Sequence, residues 1–166
     1  MPNKSENEIE YSTENTTENF ETWINRPFIP DELKPQLRKA NVLIVPREGF
    51  QEYPGPMFPV GTEELFHFLR DNSNENITVD ICISDNDYHE LALHDAFLIV
   101  GAFVINNIAL PLIINLISNY ISNRRSDKKR IKVEFTIVEN DGRATHVLYE
   151  GPAEDFNKTI KPKLNP

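Results

Sequence analysis

AFLIVGAFVINNIALPLIINLISNYI, Ala96 to Ile121, carries no charged side chain in a chain of 166 residues whose formal net charge is -9. A run of this length and polarity has to be hidden in a core, in lipid or in a partner, because exposed apolar surface on this scale is unfavourable in water. The run reads as two consecutive helices. The first starts near Tyr88 and continues toward Asn107, and Pro111 separates it from the second, since a proline ring clashes with the carbonyl four residues back. In the second, Asn115, Ser118, Asn119 and Ser122 are spaced three and four apart and form one polar stripe.

On the C-terminal side, Arg124 to Lys132 (RRSDKKRIK) is the strongest basic run. Arg124, Arg125, Lys128, Lys129 and Arg130 make a basic patch there, read first as a solvated helix end. Ile131, Val133, Phe135 and Ile137 then alternate with Lys132, Glu134, Thr136 and Val138, the period of a strand with one buried face. Asn140-Asp141-Gly142-Arg143 is a hairpin signal, Thr145 to Glu150 returns as a strand, and a short helix is expected over 154–160.

On the N-terminal side, Val42 to Val45 (VLIV) has the continuous apolar character of a central strand. A helix opens at Gly61-Thr62, with Thr62 as its cap and Glu63 and Glu64 in its first turn. Ile77, Val79, Ile81 and Ile83 alternate with polar residues as a second strand, so a parallel strand–helix–strand unit is expected. The long loop between Pro46 and Gly61 holds Phe50, Tyr53, Met57 and Phe58, which either pack back over the sheet or await a ligand. Residues 1–25 are acidic, rich in Asn, Thr and Glu, and read as a disordered leader; residues 41–160 form one α+β domain and 161–166 a flexible tail. The expected architecture is a small four-stranded sheet of split βαβ type with a pair of apolar helices.

Several functional classes are disfavoured by composition. Net acidity suits non-specific nucleic-acid binding poorly, and the single cysteine, Cys82, rules out an internal disulfide and suits a reducing, cytoplasmic setting. His89 and His94 lie five apart, not the four that would put two zinc ligands on one helix face. A metal-dependent enzyme using His89, His94 and Asp95 is therefore a minor alternative, and no cofactor is expected. His67 and His146 stand isolated in the sequence. A second alternative is a single-pass adaptor of the inner membrane, crossing at about 96–118 with the basic run on the inside. Against it, one crossing would divide the strand–helix–strand unit from the hairpin, leaving each piece with too little surface to bury.

LIINLISNYISNRRSDKKRIKVEFTIVENDGRATHVLYEGPAED, an apolar helix followed by a basic run, a hairpin and a Gly-Pro, resembles the small bacterial proteins called effector-associated constant components. The likeness extends over 41–160 as patterning, and Tyr120 stands where those proteins usually carry Trp. It implies a non-enzymatic subunit that acts beside a protein effector in a conflict or antiviral system. The expected function is thus a non-catalytic interaction or assembly subunit. Its contact residues are Phe50, Tyr53, Met57, Phe58, Asn115, Ser118, Asn119 and Ser122, and homo-oligomerisation covers whatever apolar helix surface a small sheet leaves bare.

Overall fold

The computed structural model describes residues 8–47, 55–92, 98–123 and 130–164. The described residues form eight strands and five α-helices: β1 (Glu10–Thr16), α1 (Phe20–Ile24), α2 (Lys34–Leu37), β2 (Val42–Val45), β3 (Phe58–Pro59), α3 (Thr62–Asn72), β4 (Val79–Ile81), β5 (Glu90–Leu91), β6 (Leu98–Asn106), α4 (Leu110–Asn123), β7 (Arg130–Val138), β8 (Ala144–Pro152) and α5 (Phe156–Leu164). Six of the strands form one mixed sheet in the order β1-β8-β7-β6-β2-β4, and β3 pairs with β5 in a two-stranded parallel ribbon. This replaces the four-stranded sheet expected from sequence. The two additional strands come from the acidic N-terminal segment and from the apolar run.

The apolar run is not a helix pair. Its first half, LIVGAFVIN, is β6, and only its second half is helical. β-Branched and aromatic side chains dominate β6, and they fit a pleated surface better than a helix. The run shows no alternation because β6 is an inner strand with residues buried on both faces. It pairs antiparallel with β2 and parallel with β7. A register shift between Ile99 and Gly101 bulges it, and Gly101 sits there at φ +143°, which a residue with a Cβ rarely adopts. α4 is 14 residues long, and no helix of the described residues is long and apolar enough to cross a membrane. The crossing at 96–118 is thereby replaced by a strand and a separate helix. Similarly, Tyr88 to Ala92 does not start a helix but holds the two residues of β5.

β1, EYSTENT, lies antiparallel along β8 with Glu10 opposite Glu150 and Thr16 opposite Ala144. Part of the acidic segment read as a leader therefore forms one edge of the sheet. An Asn19 capping box starts α1, the Asn19 side chain accepting from Thr22 N–H while Thr22 Oγ1 accepts from Asn19 N–H. The β7–β8 hairpin turns where the sequence signals it, with Gly142 at φ +91° and Gly142 N–H donating to the Glu139 carbonyl. β2 and β4 run parallel on either side of α3 in the chain.

Both faces of the sheet carry apolar side chains, sorted by pleat. Val42 and Ile44, Phe103 and Ile105, Val133, Phe135 and Ile137, and Val147 and Tyr149 join Leu65 and Leu69 of α3, seven buried residues of α4, and Phe156 and Ile160 of α5 in the larger core. Leu43, Val45, Val104, Val138 and Ala144 point the other way and meet Trp23, Ile24, Ile29, Leu37 and Cys82 in a smaller core. The helix layer of α3, α4 and α5 thus spans one face. On the other, α1, α2 and the segment between them pack on β2, β6 and the hairpin end of β7 and β8. With the larger sheet beneath it, the buried face of α4 is covered within the chain, and the shortage of cover that argued for homo-oligomerisation is gone.

Candidate functional site

Where α1 stops covering the sheet, a groove opens. Opposite residues on its floor follow from register: Glu14, His146, Thr136 and Val104 form one row across β1, β8, β7 and β6, and Ser12, Leu148, Glu134 and Ala102 form the next. Of these positions Ser12 and Glu14 are exposed, Leu148, Glu134 and His146 half-buried, and Thr136 buried. The cavity of about 290 Å³ at the groove's edge is lined by Glu18, Trp23, Arg47, Glu134, Thr136 and His146, with Val45, Pro46, Ala102 and Phe103 as its apolar part.

Each polar group is held by a different element. Arg47 follows β2 and is fixed by a two-way bridge to Met57, Arg47 N–H to the Met57 carbonyl at 2.8 Å and the reverse at 2.9 Å. Glu134 projects from the inner strand β7, and His146 from β8 directly opposite Thr136. Trp23 stands on α1, with the Arg26 guanidinium 4.4 Å from its ring centre and paired through the other side to Glu18 at 3.0 Å.

The contacts among the groups at the centre are loose. An Arg47 nitrogen lies 3.6 Å from Glu134 Oε1, His146 Nε2 lies 3.9 Å from Glu134 Oε2, and His146 Nδ1 is 3.5 Å from Thr136 Oγ1. A well-made charged hydrogen bond is nearer 2.8 Å. The side chains of Arg47 and Glu134 are 25% and 27% exposed, so both are partly withdrawn from water without a close partner to offset it. Arg47, Glu134, His146 and Thr136 thus lie within 4 Å of a neighbour in turn without close hydrogen bonds, and Thr136 is itself buried.

A second polar cluster is already satisfied. Glu90 on β5 accepts from Gly61 N–H at 2.9 Å through one oxygen, and from Glu63 N–H at 3.1 Å and Tyr88 O–H through the other. It therefore caps α3 from a distant part of the chain. Thr62, expected as the cap, instead donates its hydroxyl to the Pro59 carbonyl at 2.7 Å, and Gly61 is the N-cap residue. Burial raises the Glu90 carboxyl pKa, but the Tyr88 hydroxyl and the two backbone N–H groups outweigh it and leave the carboxyl below its ordinary value. Tyr88, stacked on Phe58 at 5.0 Å between ring centres, is pushed up by burial and by its bond to Glu90.

Among the residues singled out from sequence, Met57 and Phe58 are buried in the protein, while Phe50 and Tyr53 lie outside the described residues. The polar stripe is present on α4: Asn119 and Ser122 are exposed, Asn115 and Ser118 half-buried, and the Ser118 hydroxyl donates to the Ile114 carbonyl. It belongs to the helix layer, across the sheet from the groove. Arg130 opens β7 and donates to the Glu8 carbonyl at 2.7 Å, while Arg124, Arg125, Lys128 and Lys129 are outside the described residues. His89 is exposed, and His94 and Asp95 are likewise outside them; among the described residues no group of three or more His, Cys, Asp or Glu could hold a metal ion. The groove residues were not found from sequence as a set. Glu134 and Thr136 fall on the polar side of the alternating β7 pattern, which hinted at a solvated face, but only pairing in the sheet brings His146 and Arg47 to them.

No family model, no curated protein and no solved structure matches the chain.

Proposed function

We propose that this protein is a non-catalytic interaction subunit whose contact surface is the uncovered half of the sheet, with the Arg47–Glu134–His146 groove at its centre. The observation that supports it is the asymmetry of the sheet. Three helices pack on one face, whereas on the other the smaller core of α1 and α2 does not include Ser12, Glu14, His146, Leu148 or Glu134, of which the first two are exposed and the rest half-buried. The surface mixes an apolar residue with charges of both signs, as non-obligate protein interfaces do. Pro46 and Arg47 lie at its rim.

The partner is a protein, either a second copy of the chain or an effector of the conflict-system type that the resemblance implies. A reducing, cytoplasmic setting suits the single buried cysteine. Photo-crosslinking residues placed at Ser12 and Leu148, and for comparison at Glu64 on the exposed side of α3, test the reading in cells that make the protein. A discrete product is expected from the first two positions and not from the third, its mass separating self-association from an effector. Products of equal yield from Glu64, or none from Ser12 and Leu148, would remove the surface from consideration.

A further inference from the structure

We infer that the groove binds a small zwitterion of the α-amino-acid class, its carboxylate on Arg47 and its ammonium group on Glu134. The site lies within the proposed contact surface, but the inference holds whether or not that surface takes a protein partner.

Three properties of the cavity lead to this class. The first is unspent bonding capacity. Arg47 offers five N–H donors in a planar fork, and its only polar side-chain contact among the described residues is the 3.6 Å approach to Glu134. Among the described residues Glu134 in turn has no side-chain partner closer than that approach, His146 being 3.9 Å away. Both can therefore bond a guest at hydrogen-bond distance while giving up little of their attraction for each other.

The second is the presence of both signs. Arg47 and Glu134 line the opening together, along with His146 and with Glu18, which pairs with Arg26. A simple anion brought to Arg47 would also face Glu134 and Glu18, in a chain of net charge -9. A simple cation brought to Glu134 would face Arg47. A guest that carries both signs gives each host group its complement and leaves neither half-buried charge opposed. Since the two host groups approach to 3.6 Å, the guest's charges must also be neighbours, as they are across a single carbon in an α-amino acid.

The third is size and wall chemistry. About 290 Å³ is near the lower end of small-molecule sites, enough for about ten waters and thus for a compact guest. Trp23, Val45, Pro46, Ala102 and Phe103 supply an apolar wall for a side chain.

Trp23 is the only tryptophan in the chain and lines the cavity, so its emission reports on occupancy without a label. Full-length protein is titrated to millimolar concentration with L-amino acids lacking aromatic side chains, and in parallel with acetate, methylamine and inorganic phosphate, with calorimetry recorded alongside. A saturable response to at least one amino acid is expected, with none to the three half-molecule and anion controls. Arg47→Met and Glu134→Gln should each weaken it tenfold or more, while Glu64→Gln on α3 should not change it; circular dichroism checks that each variant is folded. Arg47→Lys, which keeps the charge but loses the fork, should fall between. Silence from every amino acid by both methods overturns the inference, as does a response to acetate or phosphate as strong as to any amino acid. A response that persists in folded Arg47→Met and Glu134→Gln overturns it equally. Loss of crosslinking from Ser12 and Leu148 does not bear on this titration, so the two readings fail separately.

Discussion

Glu90 shows how one carboxylate can hold two distant parts of a chain. Capping α3 from β5, it ties the 85–91 segment to the start of a helix nearly thirty positions earlier. Replacing it with Gln or Ala removes a charge-assisted cap, and a loss of about 1–2 kcal/mol is expected at neutral pH by urea denaturation. The pH dependence follows from the lowered carboxyl. Unfolded, the group titrates near 4.5, and folded it titrates lower, so its contribution is complete above 4.5 and is lost as pH falls through the folded value. Glu90→Gln should therefore flatten the decline of stability on acidification, and equal acid sensitivity in both proteins would contradict the linkage. Tyr149 behaves in the opposite sense. Burial, and then the Asp155 charge, push its hydroxyl up to about 12, while the O–H donates to the Pro152 carbonyl at 2.7 Å. Its contribution is intact below the unfolded value of 10.0 and is lost as pH rises toward 12. Tyr149→Phe should cost about 1 kcal/mol at neutral pH and reduce the alkaline loss of stability. At this scale the sequence was only partly informative. Thr62 had the chemistry of a cap, but which group faces the helix start is decided by where β5 pairs, and that is not a local property.

For the elements, the run from Ala96 onward carries the main lesson. Its length and lack of charge were legible, as was burial, but a short apolar run in an inner strand has the same one-dimensional pattern as a buried helix. Composition did not separate the halves either, since Ile99, Val100, Val104 and Ile105 of β6 are matched by Ile113, Ile114, Ile117 and Ile121 of α4. The alternating strand β7 and the Asn-Asp-Gly turn were readable because one face of the β7–β8 pair stays polar over much of its length. β1 was not readable, since its polar sequence gains order from pairing with β8 rather than from burying its own side chains. Two substitutions test the element assignments. Phe135, fully buried between Phe103 at 5.8 Å and Phe156 at 6.1 Å, should cost about 3–5 kcal/mol as Phe135→Ala. Gly101→Ala has space for the added carbon but an unfavourable backbone angle, and a smaller cost of about 1 kcal/mol or more is expected. Thermal or urea unfolding measures both, and the order of the two losses is the informative result.

At the scale of the whole molecule, a six-stranded sheet with a complete layer on one face and a partial layer on the other frames the functional reading. The groove belongs to this scale, because Glu134 and Thr136 reach it from β7, His146 from β8 and Arg47 from the segment after β2. Nothing in their spacing along the chain announces the meeting. Deleting residues 1–17 should expose the long edge of β8, lower the unfolding midpoint and promote concentration-dependent association, visible by light scattering. A deletion variant as stable and as monodisperse as the full chain would show that β1 contributes little to the sheet. The pairing of β1 with β8 has a further consequence for how the protein is made. Glu10 waits for Glu150, so during synthesis β1 leaves the ribosome well before β8 and stays without its neighbour until β8 has emerged. The β1–β8 seam then closes after the β6–β7 pair, and a nascent chain stalled before β8 presents an open β7 and an unpaired β1 to whatever chaperone attends it.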